Sequence, residues 1–233
     1  MICGMLTLAG KRETLLGSTG SAATFIQIES WLRECTQGHA SCAVDRGEWF
    51  LPSRLIDVTS WHKDHMVRLV ESKNIDQTHS KPPLYTTLSH RWTSGSTAAA
   101  STTTKNFASR LQALSASALL LHFLHVIEAT HKLNILYLWI DSLCILQGSK
   151  EDFDHEAPLM SKIYRFSHCT ISADVQDTDE LGLFRCQDTE NNVVEFEIRD
   201  ETGSPRKVRA VKEQISWHTA IEESPLEQRG WYV

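Results

Sequence analysis

Apolar positions at Phe25, Ile28, Leu32 and Cys35 recur at three- and four-residue steps, the spacing of one buried helix face. Gly38 marks the predicted end of that helix. The run Trp49-Phe50-Leu51-Pro52-Ser53-Arg54-Leu55-Ile56-Asp57-Val58 reads as extended, with Pro52 placing it at a sheet edge or a strand start. Met66–Val70 and Leu84–Ser89 predict two further short strands, the second punctuated by Pro82-Pro83. Leu120, Phe123, Leu124 and Ile127 mark one face of a helix ending near His131. Ile135–Ile140 is six apolar residues in a row, the pattern of a strand buried on both faces at the centre of a parallel sheet. Phe153, Ala157, Met160 and Tyr164 return to helical spacing, and Pro158 predicts a helix that starts close to itself, where proline is tolerated. Cys169–Val175 is another strand.

Strands alternating with helices predict an α/β fold with a mainly parallel sheet and flanking helices. Val193–Ile198 and Lys207–Val211, separated by the turn Asp200-Glu201-Thr202-Gly203, predict a β-hairpin inserted near the C-terminus. Two stretches lack a pattern. Residues 1–20 read as a mobile leader, so that residues 1–39 form a leader plus amphipathic helix and residues 40–233 the main domain. Residues 93–104 (TSGSTAAASTTT) read as a low-complexity loop too small and polar to join a core.

Composition narrows the class. A chain of 233 residues with 41% hydrophobic and 22% charged side chains is globular in type. It buries about 70% of its unfolded surface, so it needs no disulfide staples. Six cysteines scattered at 3, 35, 42, 144, 169 and 186 read as reduced thiols of a cytoplasmic protein. The charge is uneven. Residues 1–150 carry 14 Lys and Arg against 11 Asp and Glu, whereas residues 151–233 carry 9 against 18. No basic stripe tracks a phosphate backbone, and a net charge of −6 argues against a dedicated nucleic-acid binder. No apolar run approaches the roughly 20 residues of a membrane span. The apolar patch Ile2–Ala9 is followed rather than preceded by Lys11-Arg12, the wrong order for a signal peptide.

No glycine-rich phosphate loop or dinucleotide fingerprint is present. Cys35, His39 and Cys42 offer three metal-ligand types within eight residues, with His62 or His65 as a fourth. That spacing matches no standard zinc finger, and a helix end with half-buried thiols is the preferred reading, so no metal is expected. Cys144 among eleven histidines suggests a nucleophile pair, but its apolar surroundings favour an inert packed thiol. Asp141 is more informative. It follows the Ile135–Ile140 strand, and ligand sites in wound sheets form outside the carboxyl ends of strands. Ser89 and His90 end another strand in the same sense, so the two ends predict one crevice. An Asp-Ser pair equally suits a turn or a helix cap. Trp92, Trp139 and Trp231 either line that crevice or pack in the core, with Trp92 the one favoured for the crevice.

Three blocks resemble one family. Tyr137-Leu138-Trp139-Ile140-Asp141-Ser142-Leu143-Cys144-Ile145-Leu146-Gln147 is followed by Glu151-Asp152-Phe153 and then by Met160-Ser161-Lys162-Ile163-Tyr164. Before it stands Tyr85-Thr86-Thr87-Leu88-Ser89-His90-Arg91-Trp92, and after it Pro225-Leu226-Glu227-Gln228-Arg229-Gly230-Trp231-Tyr232-Val233. Their order and spacing resemble the fungal heterokaryon-incompatibility (HET) domains over about residues 40–233, with Leu51–Val58 as a lead-in. The chain departs from the pattern at Thr93, where glycine is usual after the tryptophan, and at His125, where a helical Asp is usual. It also ends before a final Gln-Glu pair, which leaves an incomplete, inactive copy as one reading.

The resemblance implies a flavodoxin-like, Toll/interleukin-1-receptor-like layer. It implies a role in non-self recognition, with a cell-death response reached through self-association or contact with a protein partner. Some Toll-like relatives hydrolyse NAD, so a second reading is an enzyme with NAD as substrate. Asp141 is then the candidate catalytic carboxylate, stabilising an oxocarbenium-like transition state. Ser89, Arg91, Trp92 and Arg229 complete the expected crevice, the two arginines offering planar donor forks to a phosphate or carboxylate.

Overall fold

Ser21 starts the first helix because its hydroxyl accepts the Thr24 N–H at 3.3 Å, satisfying one of the donors a helix leaves open. The helix, α1 (Ala22–Gly38), buries Phe25 and leaves Ile26 and Trp31 exposed. In the computed structural model the described residues are 18–39, 50–76, 83–92, 100–173, 182–185, 193–199 and 203–211. Most of the leader, loop positions 93–99, the strand end 174–175, Cys42, Arg229 and the whole third block lie outside them.

Strand β1 (Arg54–Asp57) is followed by the single-turn helix α2 (Trp61–Asp64) and strand β2 (Met66–Glu71). Strand β3 (Tyr85–Ser89) carries the first family-like block. The connection from it runs through α3 (Phe107–Gln112), the two-residue β4 (Leu114–Ser115) and α4 (Leu121–Lys132) to β5 (Tyr137–Trp139). Then come the short α5 (Asp141–Cys144), α6 (Lys150–Glu156), a 3-10 turn at Ala157–Leu159, α7 (Met160–Phe166) and β6 (Cys169–Ser172). The predicted hairpin is present as β7 (Val193–Arg199) and β8 (Pro205–Val211), paired in register from Val193 with Val211 to Arg199 with Pro205.

The six-stranded sheet has the order β4-β2-β1-β5-β3-β6. The expectation of a mainly parallel sheet is corrected here. Three pairings are antiparallel (β1 with β2, β1 with β5, β2 with β4), and two are parallel (β3 with β5 and β3 with β6). The reason is the short α2 connection between β1 and β2, which returns the chain alongside itself, as antiparallel neighbours allow and parallel ones do not. Strand β5 therefore sits at the border of the two halves rather than at the centre of a parallel sheet. Leu136, just before it, is 49% exposed, so the apolar run is not buried along its whole length.

Strand β3 shows how the layers form. Thr86 points to α4, where its hydroxyl meets that of Thr130 at 2.7 Å. Its neighbours point to the opposite face. The Tyr85 hydroxyl donates to the Ile163 carbonyl of α7 at 2.7 Å, and Thr87 Oγ1 meets Thr170 Oγ1 at 2.8 Å. Alternation along one strand thus places α4 and α7 on opposite faces of the parallel trio. Tyr85, Leu88, Phe123, Val126, Ile127, Leu138 and Ile163 fill the core between them.

Two further expectations change. The 150–166 segment starts at Lys150 behind the Ser149 cap, well before Pro158, because the 3-10 turn absorbs the proline between two helices. The end of the low-complexity stretch is not excluded from the interior either, since Ala100, Ser101 and Thr102 are all buried. Their polar groups are bonded internally. The Thr102 N–H donates to the Ser142 carbonyl at 2.9 Å, its carbonyl accepts from the Gln147 N–H at 2.7 Å, and its hydroxyl accepts from Arg110 at 2.9 Å.

Candidate functional site

The two parallel strands β3 and β5 end side by side, with Thr87 level with Trp139 in the register. Their onward connections pass to opposite faces of the sheet, the arrangement in which ligand crevices form beyond the carboxyl ends of strands. From β3, residue 90 falls on the α4 face. His90 is 3% exposed and sits 5.2 Å from the Phe123 ring and 5.5 Å from the His122 ring, centroid to centroid. Trp92 lies nearly parallel to His90, with centroids 6.5 Å apart, and keeps about a third of its surface in solvent. From β5, Ile140 occupies the cap position of α5, so that Asp141 is the first helical residue.

Trp92 and Asp141 meet across the gap. The indole Nε1–H donates to Asp141 Oδ2 at 2.8 Å, while the Ser142 N–H donates to Oδ1 at 2.7 Å. His90 Nδ1 stands 3.7 Å from Oδ1, too long for a hydrogen bond but close enough for attraction whenever the imidazole is protonated. The site is therefore an aromatic plane and a carboxylate at the rim, with two imidazoles buried behind them. Both carboxylate oxygens act as acceptors, but Asp141 is not the helix cap, because Ile140 holds that position and no side chain caps the helix. Ser142 is fully buried, and its hydroxyl finds no partner among the described residues.

The turn that presents Asp141 is held from below by β1. Arg54 Nε donates to the Cys144 carbonyl at 2.6 Å, and its terminal nitrogen bonds both oxygens of Asp152 at 2.7 and 2.6 Å. Glu156, 2% exposed, lies 3.6 Å from the same guanidinium. Asp152 in turn accepts the Leu146 N–H at 2.7 Å. With the Thr102 bonds described above, residues 142–147 are fixed from two sides.

Of the residues singled out from sequence, Trp92 and Asp141 come together directly. Arg91 is exposed next to them. Ser89 lies at the same strand end on the face opposite His90, with its carbonyl engaged by the Ala173 N–H at 2.8 Å. Arg229 and Trp231 are among the residues outside the described set. Trp139 is fully buried and packs edge-on to Tyr164 at 5.6 Å, a core role. Cys35 and His39 sit at the end of α1, and Cys42 is not described. His62 and His65 are engaged on α2, the first with His131 at 4.2 Å and the second with Trp61 at 5.3 Å. No cluster of three metal-type side chains occurs among the described residues. Cys144 is sealed, and burial pushes its thiol up to about 12, which removes the thiolate a nucleophile requires.

In the sequence His90 is legible only as a strand-end residue, and His122 and Ser142 do not stand out as site residues. The signal for His90 was its position between Ser89 and Trp92. His122 lay in an amphipathic helix, where its spacing is that of any core residue.

No helix among the described residues is long and apolar enough to cross a membrane. The family model described as heterokaryon incompatibility protein (HET) matches residues 85–233, which contain both strands that build the crevice. No curated protein and no solved structure matches the chain.

Proposed function

From the premise that the chain belongs to the heterokaryon incompatibility family, we propose that its crevice is the working surface of a non-self recognition domain. In this reading the protein acts in the cytoplasm of a fungal cell and promotes cell death through self-association or contact with a protein partner. The observation that carries the proposal is the bond between Trp92 and Asp141, which links two blocks 49 residues apart at the ends of neighbouring parallel strands. The rim it creates combines an aromatic plane, a carboxylate and the exposed guanidinium of Arg91, a set suited to recognition of a polar or charged surface. Arg229 and Ser89 are proposed as further contributors to that surface.

The domain is proposed to span residues 40–233, with residues 1–39 as an appended arm. Pairing of β1 and β2 into the same sheet as β3 and β5 supports an origin well before residue 85. The trio β5-β3-β6, with helices on both faces, is the part that a flavodoxin-like or Toll-like layer would share.

A second reading is favoured by one feature, the placement of Asp141. Its two oxygens accept N–H bonds from Trp92 and Ser142 at the ends of neighbouring strands, a placement suited to electrostatic stabilisation of a nearby positive charge. That is the role a carboxylate plays toward an oxocarbenium-like transition state in cleavage of the glycosidic bond of NAD. Expression of wild type and Asp141→Ala in fungal cells, scored for cell death, tests the first reading. Loss of the response in a folded Asp141→Ala protein supports it, and an unchanged response overturns it. NAD consumption by purified wild type that disappears in Asp141→Ala selects the enzyme reading, whereas death without NAD loss selects recognition by contact.

A further inference from the structure

His125 lies on α4 away from the crevice and carries an arrangement that the proposed function does not use. Its Nδ1 accepts two backbone N–H groups at once, from Leu183 at 2.9 Å and Phe184 at 3.1 Å. The Phe184 ring stacks on the imidazole with centroids 4.4 Å apart and planes inclined by 19°. Gly182 adopts φ +65, and a Cβ there would stand 2.3 Å from Nδ1, so only glycine lets the chain pass this close.

The segment 182–185 also holds the N-terminal helix, through Phe184 and Arg185. Phe184 meets Phe25 of α1 edge-on at 6.2 Å. Arg185 exchanges backbone contacts with Thr19, its N–H donating to the Thr19 hydroxyl and its carbonyl accepting from the Thr19 N–H, both at 2.8 Å. Lys132 donates to the Gly20 carbonyl at 2.9 Å and lies over both phenylalanine rings, at 5.0 and 5.6 Å. Residues 182–185 are thus the clasp between α4 and the arm 18–38, and His125 is the group that holds the clasp.

We propose that His125 is a proton-operated latch, whose protonation undoes the clasp and releases the α1 arm from the body of the protein. The chemistry is elementary. A neutral imidazole offers one lone pair, whereas an imidazolium offers none and presents a third N–H to the two already there. Burial disfavours the charged ring first, and the Arg185 guanidinium adds repulsion, while Glu128 pulls weakly the other way. Other charges near the interface are Lys132 across Phe184 and, where α1 reaches Leu133, Glu29, Arg33 and His168.

The sign follows from the depressed proton affinity of the folded state. The unfolded clasp binds the proton better, so docking is complete above the ordinary histidine range and weakens as pH falls below it, by up to about tenfold per pH unit. The weakening stops once the folded ring itself titrates.

Hydrogen–deuterium exchange of the wild-type chain, compared at each pH with His125→Asn, reads this directly. Asparagine Oδ1 occupies the same position as Nδ1, accepts the same two bonds and does not titrate. Below about pH 6, amides of residues 18–38 and 182–185 should exchange several-fold faster in wild type than in His125→Asn, with β3 and β5 protected equally in both. His125→Phe, which keeps the stack and removes the acceptor, should exchange fast in the arm at every pH. Equal arm exchange in wild type and His125→Asn from about pH 7.5 to 4.5 overturns the proposal, whatever His125→Phe does. Because His168 is unchanged in His125→Asn, a response common to both proteins is assigned away from His125.

Discussion

Trp92 and Asp141 are joined by a 2.8 Å hydrogen bond at the solvent edge of the crevice, although each belongs to a different strand end. A bond of this kind contributes about 1 kcal/mol net, because water competes for both partners. Trp92→Phe should therefore lower stability by no more than about 1 kcal/mol in urea unfolding. A much larger loss would mean that the pair supports the fold rather than the surface.

Arg54 is different because its partners are hidden. Asp152 and Glu156 have side chains 14% and 2% exposed, and both face the same guanidinium. Removing it strands two carboxylates away from water. Arg54→Met should cost about 3 kcal/mol or more, read as a drop in the urea midpoint without a change in slope.

Thr102 predicts a cost from the stretch that looked too polar to pack. Its buried hydroxyl accepts from Arg110, which is itself 6% exposed. Thr102→Val keeps the shape and removes the acceptor, so a loss of about 1–3 kcal/mol is expected. A neutral effect would place the Arg110 nitrogen in contact with water.

Cys144 should be silent toward thiol reagents. It is 1% exposed, with its thiol pushed up to about 12 by burial, against about 11 for the less enclosed Cys169. At about pH 8 in the native state, labelling detected by mass spectrometry should miss Cys144 and reach it only on unfolding. Fast native labelling would contradict the packed reading.

Much of this architecture is legible in hydrophobic spacing. Phe25 and Phe123 anchor helices where their period predicts them, and Tyr85–Ser89 and the hairpin pair as strands. Strand direction is not, because the residues of β1 look the same whether β2 runs with it or against it. Burial of Thr102 was hidden for a related reason: a polar residue joins a core when its partners, Ser142, Gln147 and Arg110, arrive from elsewhere in the chain. The site divides in the same way. Trp92 and Asp141 stand at readable strand ends, whereas His122 becomes part of the crevice only through its packing against His90.

The central claim is that Trp92 and Asp141 act as one unit in the output of the domain. A double-mutant cycle of Trp92→Phe, Asp141→Asn and the pair, scored by cell death at matched expression of folded protein, tests it most directly. If the bond is the working element, each single variant loses about as much of the response as the double variant. Single variants that kill as wild type does, or losses that simply add, would contradict it.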